Sequence, residues 1–596
     1  MLRQVTQHTN NCDRLKAALA LATLLLTVLD AQAQSGKDRM DWPVHNLDLN
    51  GGRYADLNAI NSENVNRLEL AWAFQPEAEH IITQVTPLVI DEVMYLNDAD
   101  GMVFALDATT GEILWTVTLG DDPTSLVSRP RGPTYGDGRL YAFVGTTMFA
   151  LDAQTGDSIT SFGQNGQLDI VAEALHTKYP DQYPPNLDPR SLGHQMTAPP
   201  AYYENTLYAG VGLSDQHIPG GLVIAADATT GTLKWIFNTV PQRPEDDGWE
   251  IAEKTWGTGK RAGGGVWTTP AIDPDLGLVY VNAGNPSADY DGSARPGINL
   301  FTNATIALDL ETGKLAWYYQ TVHHDVWDLD HVTGPLLFDA TKDGRSVKGV
   351  AAGGKNCLLY LWDRATGQPI NPMVEIAVPT ATDVPGEQIW PTQPFPYTAR
   401  GIPMSPFCNT YPIVNNPATR DDARQIYTPY STTEAYIVAH GGSSWGPPSF
   451  SPRTGLLYVS AKDGSIAATV KPVGDSVDIG RGLGGRTSMQ TSRREDMPPE
   501  FTLSAYEPVS GSLVWQQRVP TNSPIGASGN FVTAGDIVLQ GTDVGELYAF
   551  DARTGERLFQ YQHNRPIRAS PLTYQVRGTQ FITVVATDTV LTFALP

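Results

Sequence analysis

A seven-residue motif recurs along this chain and limits the possible folds more than any other feature of the sequence. Each copy reads Ala/Leu-x-Asp/Glu-x-x-Thr/Ser-Gly, and in five copies an aromatic residue stands eight positions after the acid. The copies span 105–111, 150–156, 225–231, 307–313, 361–367, 505–511 and 549–555, and the aromatic residues are Trp115, Trp235, Trp317, Trp515 and Phe559. Internal repeats of this kind indicate one supersecondary unit used many times.

Each copy has the chemistry of a tight turn between two β-strands. The acid can accept hydrogen bonds from turn amides, and the glycine can adopt the positive φ that closes the turn. The strand that follows carries the aromatic side chain to a fixed place, where it can pack on a neighbouring unit. We interpret each copy as a β-hairpin whose aromatic residue contacts the next repeat.

The shortest spacings between copies match the length of a four-stranded propeller blade. Asp107 and Asp152 are 45 residues apart, and Glu507 and Asp551 are 44 residues apart. Wider gaps indicate a blade plus an insertion. The gap of 144 residues between Asp363 and Glu507 is therefore expected to hold a further blade without the motif.

Seven visible blades and one without the motif predict an all-β, eight-bladed β-propeller with tryptophan-docking repeats. The core of the eighth blade is expected at 441–459, and segment 42–74 is expected to supply an outer strand that closes the ring. Closure removes exposed sheet edges, which favours a propeller over a solenoid. The prediction is one domain over 34–596, with a polar insertion or cap at about 368–440.

The first 33 residues have the pattern of a cleaved export signal. Arg3, Arg14 and Lys16 form a basic start, 17–29 is an apolar run, and the small-x-small triplet 31–33 is a cleavage site. The run is too short for a stable membrane anchor, and no later stretch approaches 18 apolar residues. The mature chain is expected to be periplasmic, without a membrane span.

The net charge and the cysteine content limit the binding partners, the disulfide bonds and the covalently attached cofactors that can be expected. A formal net charge of −24 makes nucleic acid and anionic membranes unexpected partners, whereas a basic protein remains compatible with it. Cys12 lies in the signal, and Cys357 and Cys408 could pair in an oxidising compartment, although the sequence does not decide this. No Cys-x-x-Cys-His motif occurs, so no covalently attached c-type haem is expected.

The stretch 263–330 carries three further motifs in a fixed order. They are Gly-Gly-Gly-x-Trp ending at Trp267, Gly-Asn-Pro-Ser with Asn285, and His-His-Asp-x-Trp-Asp-x-Asp with Asp328. Together with the repeats, these motifs resemble the alcohol and glucose dehydrogenases that depend on pyrroloquinoline quinone (PQQ). A non-enzymatic propeller of the outer-membrane assembly machinery has similar repeats, so the motifs between the repeats carry the resemblance.

The resemblance implies that Trp267 forms the floor under the quinone ring, Asn285 binds a metal ion and Asp328 is the catalytic base. An indole suits stacking on a planar cofactor, and a hard cation requires oxygen ligands. A carboxylate can take the alcohol proton as hydride passes to C5 of PQQ, whose carbonyl the cation polarises. Asp325 and Asp330 are rivals for the base, and Asp330 stands where lanthanide-dependent methanol dehydrogenases have an extra ligand.

The same resemblance assigns residues to the cofactor: Gln84, Arg131, Thr197, Trp267, Lys355 and Trp445. Lys355 resembles the cation that contacts the quinone oxygens, and we count it with Asp328 as catalytic. Arg131 resembles the arginine that pairs with a cofactor carboxylate, a task that suits guanidinium geometry. Thr197 resembles a hydroxyl donor to another carboxylate, and Gln84 stands where the glucose branch of the family has glutamine.

The chain departs from the methanol dehydrogenase pattern at several places. Segment 121–131 has no adjacent cysteine pair, and 524–535 lacks a tryptophan common near the last cofactor loop. The usual Asn-Trp is Ser-Trp445 here. The second metal ligand, usually a glutamate, must be Asp215 or Gln216, and a hard cation favours the carboxylate of Asp215. These departures concern the substrate pocket rather than the type of reaction.

The implied activity is PQQ- and metal-dependent oxidation of an alcohol to the carbonyl. The substrate is a secondary alcohol, polyol, sugar or larger hydroxylated compound, and the electrons pass to a separate soluble cytochrome c or another acceptor. Ca²⁺ is the expected ion, with Mg²⁺ and a lanthanide as alternatives. The competing hypothesis is a non-catalytic propeller that scaffolds other proteins, and it predicts no coherent cofactor site.

Overall fold

The computed structural model describes residues 39–76, 82, 84–120, 130–212, 218–408, 426–434, 436–439, 441–472, 489–493, 499–521 and 528–596. Eight antiparallel sheets follow one another along the chain and form an eight-bladed β-propeller, which confirms the predicted fold class. The described residues contain two short α-helices, Ile170–Lys178 and Trp249–Ala252, and three 3₁₀ turns, Val65–Arg67, Pro189–Leu192 and Glu253–Thr255.

Most blades are four-stranded meanders whose strands pair in chain order. Blade 2 is Leu88–Ile90, Val93–Asn97, Met102–Asp107 and Ile113–Thr118; blade 3 is Thr134–Gly136, Arg139–Val144, Thr147–Asp152 and Gln167–Asp169; blade 4 is Ala201–Tyr203, Thr206–Val211, Leu222–Asp227 and Leu233–Asn238. Blade 5 is Ala271–Asp273, Leu278–Asn282, Ala304–Asp309 and Leu315–Gln320; blade 6, as far as it is described, is Leu336–Lys342, Arg345–Gly353 and Leu359–Asp363.

The last blades complete the ring. Blade 7 is Ser449–Ser451, Leu456–Asp463, Glu500–Glu507 and Ser512–Pro520; blade 8 is Asn530–Thr533, Ile537–Gly541, Glu546–Asp551 and Arg557–Gln562, with Tyr54–Ala55 added in parallel. Blade 1 combines Leu572–Val576, Thr579–Ala586 and Thr589–Ala594 with the N-terminal strand Glu69–Phe74. The described residues include no helix long and apolar enough to cross a bilayer.

The N-terminal strand closes the ring as predicted, but the eighth blade lies elsewhere than expected. Segment 441–459 contributes the first strands of blade 7, the same blade that contains the motif copy at 505–511. The blade without a motif copy is blade 1. In the other blades the motif follows the third strand, but in blade 1 the third strand, Thr589–Ala594, and the fourth, Glu69–Phe74, come from opposite ends of the chain, so no turn joins them.

The repeated motif does what its chemistry predicts. In blade 5, Asp309 Oδ1 accepts hydrogen bonds from Thr312 N at 2.8 Å and from Thr312 Oγ1 at 2.6 Å. Gly313 has a φ of +67° and lies against the Trp235 ring of the preceding blade. The indole nitrogens donate to a carbonyl in the next blade in four cases: Trp115 to Ala153, Trp235 to Leu310, Trp317 to Arg364, and Trp515 to Ala552. Each tryptophan therefore links its blade to the next one.

The glycine of this turn has two tasks: it adopts a positive φ, and it leaves room for the tryptophan ring of the preceding blade. An experiment can separate the two tasks. An alanine at Gly313 would place its Cβ 2.4 Å from the Trp235 ring, whereas one at Gly344, with a φ of +78°, would meet nothing within 4 Å. Both substitutions incur the left-handed backbone cost of about 1–2 kcal/mol. We expect Gly313→Ala to lower the melting temperature clearly more than Gly344→Ala, and equal shifts would contradict this role of the interblade indole.

The segment between Trp42 and Arg53 ties the inner strands together at the centre of the ring. Its backbone pairs with the first strands of five blades: Trp42 with Val89, Leu49 with Ile272, Asn50 with Leu337, Gly52 with Phe450, and Arg53 with Val532. The buried Arg53 guanidinium also donates to the carbonyls of His45, Asn530 and Pro571. These contacts stabilise the centre of the ring.

Two insertions extend from blades 6 and 7. The insertion predicted at about 368–440 includes the hairpin Met373–Ala377 and Thr392–Pro396 and the strand Tyr436–Ala439. A second insertion, not anticipated from the sequence, follows Leu456–Asp463 and contains Ser465–Val470 and Met489–Arg493. Its strands join Tyr436–Ala439 in one three-stranded sheet, so the two insertions form a single structure.

Candidate active site

An ion-paired triad lies where blades 5 and 6 meet. Asp328 and Asp330 belong to the loop between Leu315–Gln320 and Leu336–Lys342, and Lys355 belongs to the turn after Arg345–Gly353. Lys355 Nζ lies 2.7 Å from Asp328 Oδ1 and 2.5 Å from Asp330 Oδ2. The backbone N–H of Lys355 also donates to the Asp330 carbonyl at 2.9 Å, which fixes the two loops to each other.

The neighbouring Asp325 has a structural task. Its carboxylate accepts hydrogen bonds from Trp327 N and Leu329 N, both at 2.8 Å, and from Asn303 Nδ2 at 2.7 Å. Its side chain is fully buried and shapes the loop that presents Asp328, which adopts a φ of +60°. Because Asp325 is fully buried while the Asp328 side chain is partly exposed, the geometry favours Asp328 over Asp325 as the base.

The two carboxylates of the triad differ in exposure and in the direction in which their pKa values are shifted. The Asp328 side chain is 20% exposed, whereas the Asp330 side chain is 4% exposed. Burial raises the pKa of Asp328 well above its usual range, and the nearby carboxylates of Asp330 and Asp289 raise it further against the opposing charge of Lys355. Burial also acts to raise the pKa of Asp330, but Lys355 and the hydrogen bonds of the site outweigh it and lower that pKa. Asp328 is therefore the more exposed of the two carboxylates and the one whose pKa is raised.

Asn285 presents an unused oxygen beside this triad. Its backbone N–H donates to Asp330 Oδ1 at 2.9 Å, and its side-chain Nδ2 donates to Asp289 Oδ1 at 2.8 Å. The buried Asn285 Oδ1 has no hydrogen-bond partner. Leaving a buried carbonyl oxygen unpaired costs about 1–3 kcal/mol, and such a group calls for an unseen partner.

These oxygens fit a hard cation. The Asn285 amide oxygen and the carboxylates of Asp328 and Asp330 are the donor types that Ca²⁺ and its relatives bind. Among the described residues there is no group of three or more His, Cys, Asp or Glu side chains that could hold a metal ion. The other predicted ligands, Asp215 and Gln216, lie outside the described residues.

A second cluster gathers the remaining predicted cofactor residues. The guanidinium carbon of Arg131 lies 5.6 Å from the Trp267 ring centre and 5.7 Å from the Trp445 ring centre. Arg131 Nη1 donates to the Trp267 carbonyl, and its Nε donates to Gln84 Oε1 at 3.4 Å. The Arg131 N–H donates to the Thr197 carbonyl at 3.0 Å, and Thr197 Oγ1 lies 3.5 Å from the Trp267 carbonyl. Two aromatic faces and a buried cation thus lie together.

Backbone contacts join the two clusters at both ends. Gly264, three residues before Trp267, donates its N–H to the Asn285 carbonyl at 2.9 Å. On the other side, Gly442 lies so close to Lys355 that a Cβ there would come within 2.4 Å of the lysine backbone. The turn that bears Trp445 therefore packs on the turn that bears Lys355. The structure thus places the described residues that were predicted for the site in two clusters, which these backbone contacts connect.

Aromatic side chains that sequence reasoning missed lie beside the triad, and some of them come from the first insertion. Tyr290 Oη donates to Asp328 Oδ2 at 3.2 Å, and its ring meets Tyr430 edge-on at 5.6 Å. Trp327 Nε1 donates to the Thr428 carbonyl at 2.9 Å and packs edge-on against Tyr427. Tyr290 follows the Asn285 motif closely and could have been noticed there, but the tyrosines of the insertion carry no motif.

Two strong links hold the first insertion against the site. Cys357, two residues after Lys355, forms a disulfide with Cys408, a pairing that the sequence left open. The buried carboxylate of Glu387 lies 2.6 Å from His324 Nε2. Both links attach the insertion to the loops that present the triad, so its aromatic residues have a fixed position relative to Asp328.

The arrangement defines a class of protein. It is a β-propeller with an aromatic and guanidinium platform beside a lysine–carboxylate triad and a buried amide oxygen. Its aromatic faces, guanidinium group and oxygen donors are of the types that suit a planar anionic cofactor and a hard cation. The comparisons with known proteins support this class.

A family model described as the PQQ, glucose/ethanol/alcohol dehydrogenase β-propeller domain matches residues 42–582. The chain is 29% identical to the quinohemoprotein alcohol dehydrogenase ADH-IIG of Pseudomonas putida, covering 92% of this chain and 73% of the relative. It is 27% identical to the quinoprotein alcohol dehydrogenase PedH of Pseudomonas putida, covering 96% and 91%. The solved structure of ADHIIG from Pseudomonas putida HK5 matches with a TM-score of 0.71 at 26% identity, covering 93% of this chain and 80% of that one. The chain belongs to the PQQ-dependent dehydrogenase family, whose members here are oxidoreductases acting on alcohols.

Proposed function

We propose that this protein is a periplasmic dehydrogenase that oxidises an alcohol with PQQ and a bound cation, with Asp328 as the base. The observation that carries the proposal is the convergence of the Asp328–Lys355–Asp330 triad with the partnerless Asn285 Oδ1. A non-catalytic scaffold has no need of a buried lysine between two carboxylates beside an unpaired amide, because such groups are costly to bury.

The residues of the second cluster would bind and orient the cofactor. Trp267 and Trp445 offer aromatic faces, and Arg131 between them offers a guanidinium for a cofactor carboxylate. Thr197 and Gln84 border the same guanidinium and can hydrogen-bond to cofactor oxygens. When bound, PQQ supplies the hydride acceptor and the cation supplies Lewis acidity.

The triad would accept the proton of the substrate hydroxyl. Asp328, the more exposed carboxylate, would take the proton of the alcohol hydroxyl while the carbon that bears this hydroxyl loses its hydride to the cofactor. Tyr290 donates to one Asp328 oxygen and Lys355 to the other, so the carboxylate is held in one orientation. Asn285, Asp328 and Asp330, with Asp215 or Gln216, would hold the cation. Ca²⁺ is the proposed ion, with Mg²⁺ and a lanthanide as the alternatives to be tested.

The insertion argues for a bulky substrate. Tyr430 of the first insertion packs on Tyr290, which contacts Asp328, so the insertion borders the site, and both insertions combine in one structure. Loops positioned by a rigid scaffold commonly determine what binds. We propose a secondary alcohol, a polyol, a sugar or a larger hydroxylated compound, with a separate basic cytochrome c as electron acceptor, consistent with the net charge of −24.

Reconstitution of the full chain tests the proposal. The purified protein is loaded with PQQ and either Ca²⁺, Mg²⁺ or La³⁺, and reduction of a dye acceptor is followed with a panel of primary alcohols, secondary alcohols, polyols and sugars. We expect dye reduction that requires both PQQ and a cation, and a preference for secondary or larger substrates over methanol. A folded protein that binds no PQQ under any of these conditions would refute the proposal.

A further inference from the structure

Asp289 stands four residues after Asn285 and has no part in the reaction described above. We infer that Asp289 is a positioning residue, whose carboxylate holds the Asn285 side chain so that its Oδ1 faces the cation. The inference rests on the proposed function, because it concerns how one ligand of the proposed cation is oriented. It extends that function by assigning a task to a residue outside the ligand set.

The hydrogen bonds of the Asn285 side chain define its orientation. Asn285 Nδ2 donates to Asp289 Oδ1 at 2.8 Å and to the Pro286 carbonyl at 3.2 Å. These two acceptors use the hydrogens of Asn285 Nδ2. The buried Asn285 Oδ1, on the other side of the amide, has no hydrogen-bond partner. The backbone N–H of Asn285 donates to Asp330 Oδ1, so the residue is also fixed to the triad.

A reversed amide would be disfavoured by the same contacts. Rotation of the Asn285 side chain by half a turn would bring Oδ1 against the Asp289 carboxylate and the Pro286 carbonyl, and both are acceptors only. The NH₂ group would then face the cation site, where it cannot serve as a ligand. Asp289 therefore selects the rotamer that can bind a cation.

The burial of Asp289 shows that its place is specific. Its side chain is 3% exposed, and the nearby Arg295 guanidinium is 1% exposed and donates to the Ala288 carbonyl and to Asn299 Oδ1. A buried carboxylate is costly unless it is hydrogen-bonded. Acidic or polar partners that orient a metal ligand typically change metal affinity 10- to 100-fold when removed.

Cation affinity is the direct readout. The PQQ-loaded full chain is titrated with Ca²⁺ alone, and the rise in melting temperature yields an apparent Kd for wild type, Asp289→Ala, Asp289→Leu and Asp289→Asn. We expect Asp289→Ala and Asp289→Leu to raise the apparent Kd by about 10- to 100-fold. Asp289→Leu fills the buried space, so that it tests the loss of the acceptor even if the alanine variant does not fold.

Asp289→Asn separates orientation from charge. Its amide oxygen can still accept from Asn285 Nδ2, so it should retain most of the wild-type affinity, and saturating Ca²⁺ should restore kcat in all three variants. Asp291→Ala is the matched control, because it removes another buried carboxylate from the same loop; Asp291 accepts from Ser293 and should leave the affinity unchanged.

Unchanged affinity in Asp289→Ala and Asp289→Leu would overturn the inference while leaving the proposed function intact. Equal losses in Asp289→Asn and Asp289→Leu would also overturn it, because they would show that the negative charge itself binds the cation. A wild-type protein that binds PQQ but shows no response to any cation would contradict the cation site, and with it the proposed function.

Discussion

Asp328→Asn is expected to lower kcat of the PQQ- and cation-loaded protein by about 10²- to 10⁴-fold, the contribution of a positioned general base. Asparagine has nearly the same shape and still offers an oxygen to Lys355, whose Nζ lies 2.7 Å from Asp328 Oδ1 and 2.5 Å from Asp330 Oδ2. It cannot take up the hydroxyl proton. The loss should therefore appear in kcat, with little change in the binding of PQQ.

The control for this variant is a carboxylate of the same blade junction outside the site. Asp339 is 60% exposed and forms an ion pair with Arg364, so Asp339→Asn should retain wild-type kcat. The acid limb of the pH–rate profile, which reports ionisation of the base, should be absent from the residual activity of Asp328→Asn. Wild-type turnover in Asp328→Asn, with PQQ bound, would remove Asp328 from the role of base.

Lys355→Met is expected to destabilise the cofactor-free protein by about 3–5 kcal/mol, the usual effect of removing one partner from a buried ion pair. Two carboxylates, Asp328 and Asp330, would then lie together without a compensating cation. Lys355 lies largely inside the site, because its side chain is 19% exposed. Activity of the loaded protein should also fall steeply, because Lys355 holds Asp328, the proposed base, in place.

Denaturant unfolding of the cofactor-free protein measures this effect. Lys342→Met is the matched control, because Lys342 belongs to the same blade and pairs with Glu507 while 46% exposed. A surface pair of this kind contributes about 0–1 kcal/mol. Added Ca²⁺ should recover part of the stability of Lys355→Met, because a cation can replace the missing positive charge. Similar losses in the two variants would show that the triad is not coupled as described.

The repeats allowed the fold to be predicted because each copy encodes its own turn and its own contact with the next blade. The acid, the glycine and the tryptophan act within 9 residues of one another, as the turn from Asp309 to Trp317 shows. Blade 1 could not be located in this way. Its strand Glu69–Phe74 pairs with Thr589–Ala594 from the other end of the chain, so the turn that carries the motif in the other blades is absent there.

The site was predictable where function requires a particular residue type within a motif. Trp267, Asn285 and Asp328 each stood in such a motif, and the structure brings their loops together. The positions of Tyr430 and of the second insertion depend on how segments that are distant in sequence pack together, and no local sequence pattern predicts that packing. The hydrogen bond between Asn285 and Asp289 could not be predicted either, because it depends on the conformation of the loop that carries both residues.

The crystal structure of the protein reconstituted with PQQ and Ca²⁺ would test the central claim most directly. The account predicts density for the planar cofactor on the Trp267 indole, with its carboxylates near Arg131 and a cation in contact with Asn285 Oδ1. Cofactor density away from Trp267, or a cation that does not touch Asn285, would contradict the account.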